Sequence, residues 1–252
     1  MKTIALIPAR YAATRFPGKL MMLLGNKTVI RHSYEAVQSA HLFDDVVVVT
    51  DSDIIYKEIT SFGGKAMMSA KEHACGSDRI AEAAEQFPEA DIIVNVQGDE
   101  PFTHRAALEQ LVAVFSEPGG ESTDVVSLMQ RIHHSEQIDN PNVVKVVVDR
   151  HNMALLFSRS RIPFPRDPDE ALYYKHIGIY AFRRNALLDF YHTRATPLEN
   201  AEKIECLRYL ENGKRIKMVE VCSMGVGIDT PQDLIEAENY LKQMINSLHK
   251  QI

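Results

Sequence analysis

The chain opens with Ile4-Ala-Leu-Ile-Pro8-Ala9-Arg10-Tyr-Ala-Ala-Thr-Arg15-Phe-Pro17-Gly18-Lys19, in which a short apolar run breaks into a loop carrying three cations. An apolar run that ends in Pro, Gly, Arg and Lys is typical of a buried strand followed by a ligand-binding loop. Such a loop places positive charge and free backbone N–H groups at the carboxyl edge of a sheet, where open α/β sheets bind ligands. We therefore expect a polyanionic ligand at this edge.

Composition indicates an ordinary globular enzyme-sized chain. It has 252 residues, of which 45% are hydrophobic and 25% charged, and a net charge of −6, which argues against a nucleic-acid-coating surface. Charged or polar residues interrupt every apolar run well short of the roughly 20 residues that span a bilayer. The three cysteines have neither disulfide nor zinc spacing. We expect a cytoplasmic protein with no membrane span and no nucleic-acid partner.

Alternating strand and helix patterns fill the first hundred residues. Runs rich in β-branched residues, Val46–Val49 and Ile92–Val96, are typical of strands buried on both faces of a parallel sheet. Helical patterns separate them: one capped by Thr28, one over residues 53–62 and one over residues 77–87. The order predicts βαβ units, and hence an α/β, Rossmann-like, mostly parallel twisted sheet flanked by helices.

The pattern changes after a helix at about 106–115 and the turn Pro118-Gly119-Gly120. Short strands are predicted at 125–129, 143–148, 154–157, 177–182 and 216–221, and helices from Asn185, over 199–210 and from a Thr230 cap. The segment 160–168 is too rich in proline for regular structure, which suggests a flap or a dimer arm. We predict one domain, 1–252, with a β-rich insertion at about 125–182.

The first candidate site is the loop Arg15-Phe-Pro-Gly-Lys19. Arg and Lys after a strand are as often a solvated surface as a binding site. Here Pro and Gly fix the backbone between the two cations, a geometry suited to a triphosphate. The loop is therefore interpreted as a phosphate site.

Two acidic positions could complete that site. Asp99 lies in Gln97-Gly98-Asp99-Glu100 directly after a buried strand, where a carboxylate can hold Mg²⁺ on phosphate oxygens, although the same residues also form plain turns. Asp229 precedes the last helix, where it could instead complement the helix N-terminus. A metal role for Asp229 requires its carboxylate to turn away from that helix. Beside a cationic loop, the metal hypothesis is favoured.

A third candidate is Gly76-Ser77-Asp78-Arg79 at a helix start. Ser77 is predicted as the N-cap whatever else the segment does. Gly76 would let a flat base lie against the backbone, and Arg79 could bind the carbonyl edge of that base. The histidines His73, His133, His134 and His151 follow no pattern that indicates a site.

Taken together, these residues resemble the 3-deoxy-manno-octulosonate (Kdo) cytidylyltransferases, or CMP-Kdo synthetases, a nucleotide-diphospho-sugar transferase type of fold. The resemblance spans nearly the whole chain. Besides the opening segment, it is carried by Gly-Ser-Asp-Arg at 76–79, Val-Gln-Gly-Asp-Glu-Pro at 96–101, Asn-Val-Val-Lys at 142–145, Phe-Ser-Arg at 157–159, Lys-His-Ile-Gly-Ile-Tyr at 175–180, Glu-Lys-Ile-Glu at 202–205 and Ile-Asp-Thr-Pro at 228–231.

The resemblance implies a reaction in which CTP and Kdo give CMP-Kdo and diphosphate, activating Kdo for lipopolysaccharide synthesis. It also implies a homodimer formed through the β-rich insertion. The implied roles fall into four groups: Lys19, Arg15, Asp99 and Asp229 for catalysis; Asp99 and Asp229 as ligands of Mg²⁺; Ala9, Arg10, Arg15, Lys19, Ser77, Arg79 and Gln97 for CTP; and Gln97, Arg159, His176 and Glu205 for the sugar.

Departures from the family pattern leave alternatives open. Leu20 follows Lys19 where the family commonly has Pro, and Cys75 stands where it often has Ser. Cys206 follows Glu205 where many members carry Gln, and a thiol would bind sugar hydroxyls poorly. The acceptor could accordingly be 8-amino-Kdo or sialic acid instead of Kdo. A non-catalytic nucleotide-binding module is the rival from another class, and it predicts the loss of Lys19 or of a metal carboxylate.

Overall fold

A computed structural model describes residues 1–12, 16–71, 73, 76–167, 170–222 and 224–249. Arg15, Cys75 and Pro168, which carry three of the expectations above, lie outside the described residues. The strands are β1 Thr3–Ala9, β2 Leu23–Leu24, β3 Lys27–Thr28, β4 Asp45–Thr50, β5 Ala66–Met68, β6 Ile92–Asn95, β7 Val125–Arg131, β8 Lys145–Val148, β9 Ala154–Ser158, β10 Tyr174–Arg183 and β11 Ile216–Glu220. The α-helices are α1 Val29–Ser39, α2 Asp53–Ser61, α3 Gly76–Ala84, α4 Arg105–Ala113, α5 Ser135–Asp139, α6 Arg184–His192, α7 Pro197–Glu202, α8 Leu207–Glu211 and α9 Pro231–His249.

The chain divides into two compact units. Unit 1 combines residues 1–108 with 224–252, and unit 2 is the continuous stretch 109–223. The predicted insertion, 125–182, falls inside unit 2, which is wider than that prediction. The description of the chain as a single domain stays a prediction.

Unit 1 is built on a parallel sheet in the order β6-β1-β4-β5. All seven residues of β1 are buried, because β1 has a strand on each side and α1 and α3 pack against it. In register, Leu6 lies opposite Val47 of β4 and Asn95 of β6. The parallel arrangement brings the carboxyl ends of the strands, and the loops that follow them, to one edge, which confirms the predicted α/β class.

Unit 2 is a mixed sheet around β7. Strand β11 pairs with β7 in parallel, β10 pairs with β7 antiparallel, and β8 pairs antiparallel with both β10 and β9. The predicted strands of this region are therefore confirmed, although β8 begins at Lys145 and β10 already at Tyr174. Residues 160–167 form neither helix nor strand, as their prolines predict.

Two local predictions were wrong. The helix expected over 199–210 is two helices, because Lys203 takes a left-handed conformation (φ 54°) that ends α7. Ser77 is not the N-cap of α3, because that helix already begins at Gly76. The caps predicted for α1 and α9 are confirmed: the Thr28 side chain accepts from Arg31 N at 3.3 Å and the Thr230 hydroxyl from Asp233 N at 3.2 Å.

Candidate active site

The loop after β1 places Lys19 at the carboxyl edge of the unit 1 sheet. Gly18 adopts φ 72°, a left-handed conformation that suits glycine, and its N–H donates to the Tyr11 carbonyl at 2.9 Å. The chain then turns directly into a short 3₁₀ helix, Lys19–Met21. Arg10 is exposed just past the end of β1, while the Lys19 side chain is only 11% exposed. In the part of the loop that the structure describes, Arg10 is thus an exposed cation and Lys19 an enclosed one.

Lys19 lies between the two predicted carboxylates. Its Nζ is 2.5 Å from Oδ2 of Asp99 and 2.8 Å from Oδ1 of Asp229. Burial opposes the charge of the ammonium group, but the two carboxylates outweigh that effect and raise the pKa of Lys19. Residues separated by 80 and 210 positions in the chain therefore share one charged centre.

Asp99 is held by the tight packing of Gly98 behind it. A side chain on Gly98 would meet Ile30 Cδ1 at 3.0 Å and the Pro8 carbonyl at 3.1 Å. The Gly98 carbonyl accepts from the Ser33 hydroxyl at 2.8 Å, and the Asp99 carbonyl accepts from Ile228 N at 2.9 Å. These contacts fix the turn that follows β6 and with it the direction of the carboxylate.

The Asp229 carboxylate lies beside Lys19, while its backbone N–H is bound by an acid of α9. Oδ2 of Asp233 accepts from Asp229 N at 2.9 Å and from Thr230 N at 2.8 Å. Together with the Thr230 hydroxyl, which accepts from Asp233 N, these bonds form a capping box at the start of α9. The Asp229 carboxylate contacts Lys19 Nζ, and its role as a metal ligand stays a prediction.

Arg79 and Gln97 line the same edge of unit 1. Arg79 is 3% exposed and donates from Nη2 to Asp51 Oδ2 at 2.5 Å, from Nη1 to the Ala9 carbonyl at 3.4 Å and to the Ser69 hydroxyl at 3.3 Å. Gln97 Nε2 donates to Asn95 Oδ1 at 3.4 Å. Ser77 is buried in the first turn of α3. The guanidinium group is therefore already committed to several protein acceptors.

Three of the four predicted sugar residues, Arg159, His176 and Glu205, belong to unit 2, whereas Gln97 belongs to unit 1. His176 Nε2 lies 3.0 Å from the Ser127 hydroxyl, which donates to the carbonyl of Ile179 at 2.9 Å or of Ile177 at 3.2 Å. Because that hydroxyl has one proton, it accepts from His176, so the imidazole carries its hydrogen on Nε2 and keeps Nδ1 as an acceptor. Burial lowers the pKa of His176 to about 4. His176 is therefore a neutral acceptor at pH 7.

Cys206 and Glu205 precede α8. The Cys206 side chain is buried, hydrogen-bonds Tyr180, and has a raised pKa because burial disfavours the thiolate. Glu205 is half-buried and close enough to both groups to raise the pKa of each. The Cys206 thiol, which differs from the family pattern, thus contacts other side chains of the protein.

The family follows from comparison with known proteins. A family model described as cytidylyltransferase matches residues 4–216, most of the chain. The chain belongs to the cytidylyltransferase family. Two relatives named 3-deoxy-manno-octulosonate cytidylyltransferase are similar over nearly their full length. The protein from Flavobacterium johnsoniae is 59% identical, covering 97% of this chain and 100% of its own, and that from Christiangramia forsetii is 55% identical, covering 95% and 97%.

Two solved structures agree with the fold described above. A CMP:2-keto-3-deoxy-manno-octonic acid synthetase complexed with CTP is 37% identical, covers 97% of this chain and 100% of that one, and superposes with a TM-score of 0.92. A 4-diphosphocytidyl-2C-methyl-D-erythritol synthase from Anaerococcus prevotii shares the fold with a TM-score of 0.65 at 15% identity. Among the helices in the described part of the chain, none is both long and apolar enough to cross a membrane.

Three residues of this cytidylyltransferase that support the site were missed from sequence. Asp51 follows the buried strand β4 just as Asp99 follows β6, so its position at the carboxyl edge was visible in the pattern. Asp233 lies three residues after the predicted Thr230 cap, but nothing in the sequence shows that its carboxylate binds the backbone N–H of Asp229. Ser127 gave no signal, because a serine within an apolar strand says nothing about its partner.

Proposed function

We propose that this protein is a 3-deoxy-manno-octulosonate cytidylyltransferase, which joins CTP and Kdo to give CMP-Kdo and diphosphate. The observation that carries the proposal is the convergence of Lys19, Asp99 and Asp229 at one edge of the unit 1 sheet. It occurs in a chain that is 59% identical to a relative of that name over 97% of its length. A non-catalytic module would be expected to have lost one of these three side chains.

The reaction needs positive charge beside the triphosphate. The anomeric hydroxyl of Kdo forms a bond to the α-phosphorus in line with the departing oxygen, loses its proton, and diphosphate leaves. Lys19 donates to phosphate oxygens as charge builds on them, and Arg10, exposed beyond β1, binds the outer phosphates. Arg15, outside the described residues, is assigned to the same clamp. Fixed cations of this kind act without reorganising during the reaction.

The donors present fit a magnesium ion. Asp99 and Asp229 offer hard carboxylate oxygens, each in contact with the ammonium group of Lys19. The described residues hold no cluster of three or more Asp, Glu, His or Cys able to bind a metal, and Mg²⁺ bound to nucleotides typically takes only one or two protein carboxylates. Bound there with CTP, Mg²⁺ would supply charge neutralisation on the phosphates and lower the barrier to deprotonating the sugar hydroxyl.

For the base, we assign Ser77, Arg79, Gln97 and the Ala9 backbone. Support comes from Gly76: a side chain there would lie 3.4 Å from Pro8 Cγ and 3.7 Å from Gln97 Oε1, so its absence leaves bare backbone beside Gln97. For the sugar, Gln97, Arg159, His176 and Glu205 remain the candidates. The Nδ1 acceptor of His176 is suited to a sugar hydroxyl.

Release of diphosphate tests the proposal. Purified protein is incubated with CTP and Mg²⁺ and with Kdo, 8-amino-Kdo or sialic acid, and we expect release with Kdo. Preference for 8-amino-Kdo would change the proposed acceptor sugar. No release of diphosphate with any of the sugars would refute the proposed enzymatic activity. Asp99→Asn should lower turnover by about 100-fold, whereas Asp53→Asn, an exposed acid on α2, should leave it unchanged.

We further propose a homodimer and a cytoplasmic location. Unit 2 exposes apolar side chains near its β-rich part: Leu155 is 62% exposed and Phe164 is 84% exposed. Large apolar side chains exposed to this extent are candidates for an interaction surface. Light scattering of the purified protein should give twice the chain mass, and Leu155→Asp with Phe164→Asp should give the monomer mass. A monomeric wild-type protein would rule out the dimer.

A further inference from the structure

Lys145 is a buried lysine that no step of the proposed reaction uses. It is fully buried, with 0% of the residue exposed. Its Nζ donates to the carbonyls of Asn140 at 3.0 Å, Val143 at 2.7 Å and Arg159 at 2.5 Å. Lysine is almost never fully buried without partners, and here three acceptors match its three N–H donors. The ammonium group joins the 140–143 loop to the main chain of Arg159.

Glu202 holds the same main chain from the other side. Its Oε2 accepts from Arg159 N at 2.9 Å, and its Oε1 accepts from the Ser158 hydroxyl at 2.5 Å. Burial opposes ionisation of Glu202, but these bonds outweigh that effect and lower its pKa. The N–H of Arg159 is thus bound by a carboxylate and its carbonyl by an ammonium, which leaves its backbone little freedom.

The side chain of Arg159 is also fixed. Nε donates to the Glu202 carbonyl at 2.7 Å, Nη1 to the Pro141 carbonyl at 2.9 Å and Nη2 to the Lys203 carbonyl at 3.4 Å. These contacts use three of the five N–H groups of a guanidinium. A planar group held in this way is preorganised for a further anion, because little rotamer freedom is left to lose on binding.

We propose that Lys145 and Glu202 are positioning residues that hold Arg159 ready for the carboxylate of the acceptor sugar. The inference rests on the proposed function, in which Arg159 is a sugar residue. The two charges act through Arg159 and do not touch the substrate. A merely structural role would lower stability, but it would not link their effect to Arg159.

A double-mutant cycle separates these roles. Lys145→Met and Glu202→Gln are made alone and in an Arg159→Ala background, and KM for Kdo, KM for CTP and kcat are measured together with Kdo affinity by calorimetry. We expect Lys145→Met to weaken Kdo binding by about 10- to 100-fold, with KM for CTP changed less than about twofold. In the Arg159→Ala background it should add nothing further. Lys214→Met, which removes an exposed lysine of unit 2 paired with Asp189, is the control.

Equal losses for Kdo and CTP, or the same loss in the Arg159→Ala background, would overturn the inference. If Lys145→Met fails to fold, as judged by its thermal transition, Glu202→Gln decides, and unchanged Kdo affinity in that variant would also overturn it. Wild-type protein that binds Kdo through Arg159 but releases no diphosphate would refute the proposed function and leave the coupling measurable.

Discussion

Lys19 is the residue that joins the predicted acidic positions of unit 1. Its side chain is 11% exposed and touches both carboxylates that the sequence nominated as metal ligands. The sequence alone predicted all three residues as site residues, because each follows a strand or precedes a helix with a recognisable signal. It could not give their distances, which depend on how Gly98 and Asp233 direct the two carboxylates.

Replacing Lys19 should remove charge stabilisation from the reacting phosphate. We expect Lys19→Met to lower kcat by about 100- to 1,000-fold, as for loss of one preorganised donor, measured by diphosphate release. Lys27→Met, which breaks a half-exposed pair with Glu35, should stay within about twofold. Near-normal turnover in Lys19→Met would contradict the role given to this residue.

Cys206 should resist alkylation. Its thiol is buried and its pKa is raised, so little thiolate forms near neutral pH, whereas Cys222 is exposed. After iodoacetamide at pH 8, mass spectrometry of peptides should find Cys222 labelled at least about 100-fold faster than Cys206. Equal labelling of the two in the folded protein would contradict the burial of this position.

His176 should make the free energy of unfolding depend on pH. Its pKa is 6.5 in the unfolded chain and about 4 in the fold, so the unfolded state binds a proton first as the pH falls. Stability present above pH 6.5 is therefore lost between about pH 6.5 and 4. The loss should be about 2 kcal/mol, allowing for the partial exposure of the residue.

Urea unfolding at each pH measures this loss. His176→Gln should flatten the curve over that range, and His192→Gln, which replaces an exposed histidine, should not. A wild-type slope in His176→Gln would rule out this residue as the source.

Helices and strands could be predicted from the sequence where burial determines the order of apolar and polar residues. The β-branched runs gave β4 and β6, because strands covered on both faces must be apolar throughout. Strand β5, only three residues long, was missed, since so short a run carries no periodicity. The break between α7 and α8 was also missed. The amphipathic pattern continues across Lys203, and the break depends on one backbone angle together with the buried pair of Glu199 and Arg208.

The break at Lys203 predicts that replacing a lysine by glycine has opposite effects on stability at two positions. Lys203→Gly should stabilise the fold by about 0.5–1 kcal/mol, because glycine adopts φ 54° without strain. Lys242→Gly, at an exposed position inside α9, should destabilise it by about 1 kcal/mol. Both changes are measured by urea unfolding. A loss of stability in Lys203→Gly would show that its conformation carries no strain.

The division of the chain into units was beyond the sequence analysis. Nothing local marks that α9 belongs with the first 108 residues, since the contacts that join them form only in the fold. A side chain on Gly25 would lie 3.1 Å from Leu241, and the ring of Phe102 meets that of Tyr240 edge-on with centroids 4.7 Å apart. The last helix is thus part of the unit that carries the nucleotide site.

Removing α9 should therefore abolish nucleotide binding. A chain ending after Thr230 loses Asp233, which holds the backbone of Asp229, and we expect CTP affinity to fall by at least about 100-fold in calorimetry. A chain ending after residue 246 keeps these contacts and should bind normally. Normal CTP binding without the helix would show that Asp229 needs no support from it.

Because unit 1 is formed from the two ends of the chain, its parts are synthesised at different times during translation. Residues 109–223 leave the ribosome as one uninterrupted segment, whereas Asp229 and α9 emerge after them. At about 5–20 residues per second, the opening strand waits roughly 10 seconds or longer for the carboxylate that faces Lys19. All of unit 2 is thus synthesised before the proposed nucleotide site has gained its second acid, so a ribosome that stalls before Asp229 leaves a chain without that carboxylate.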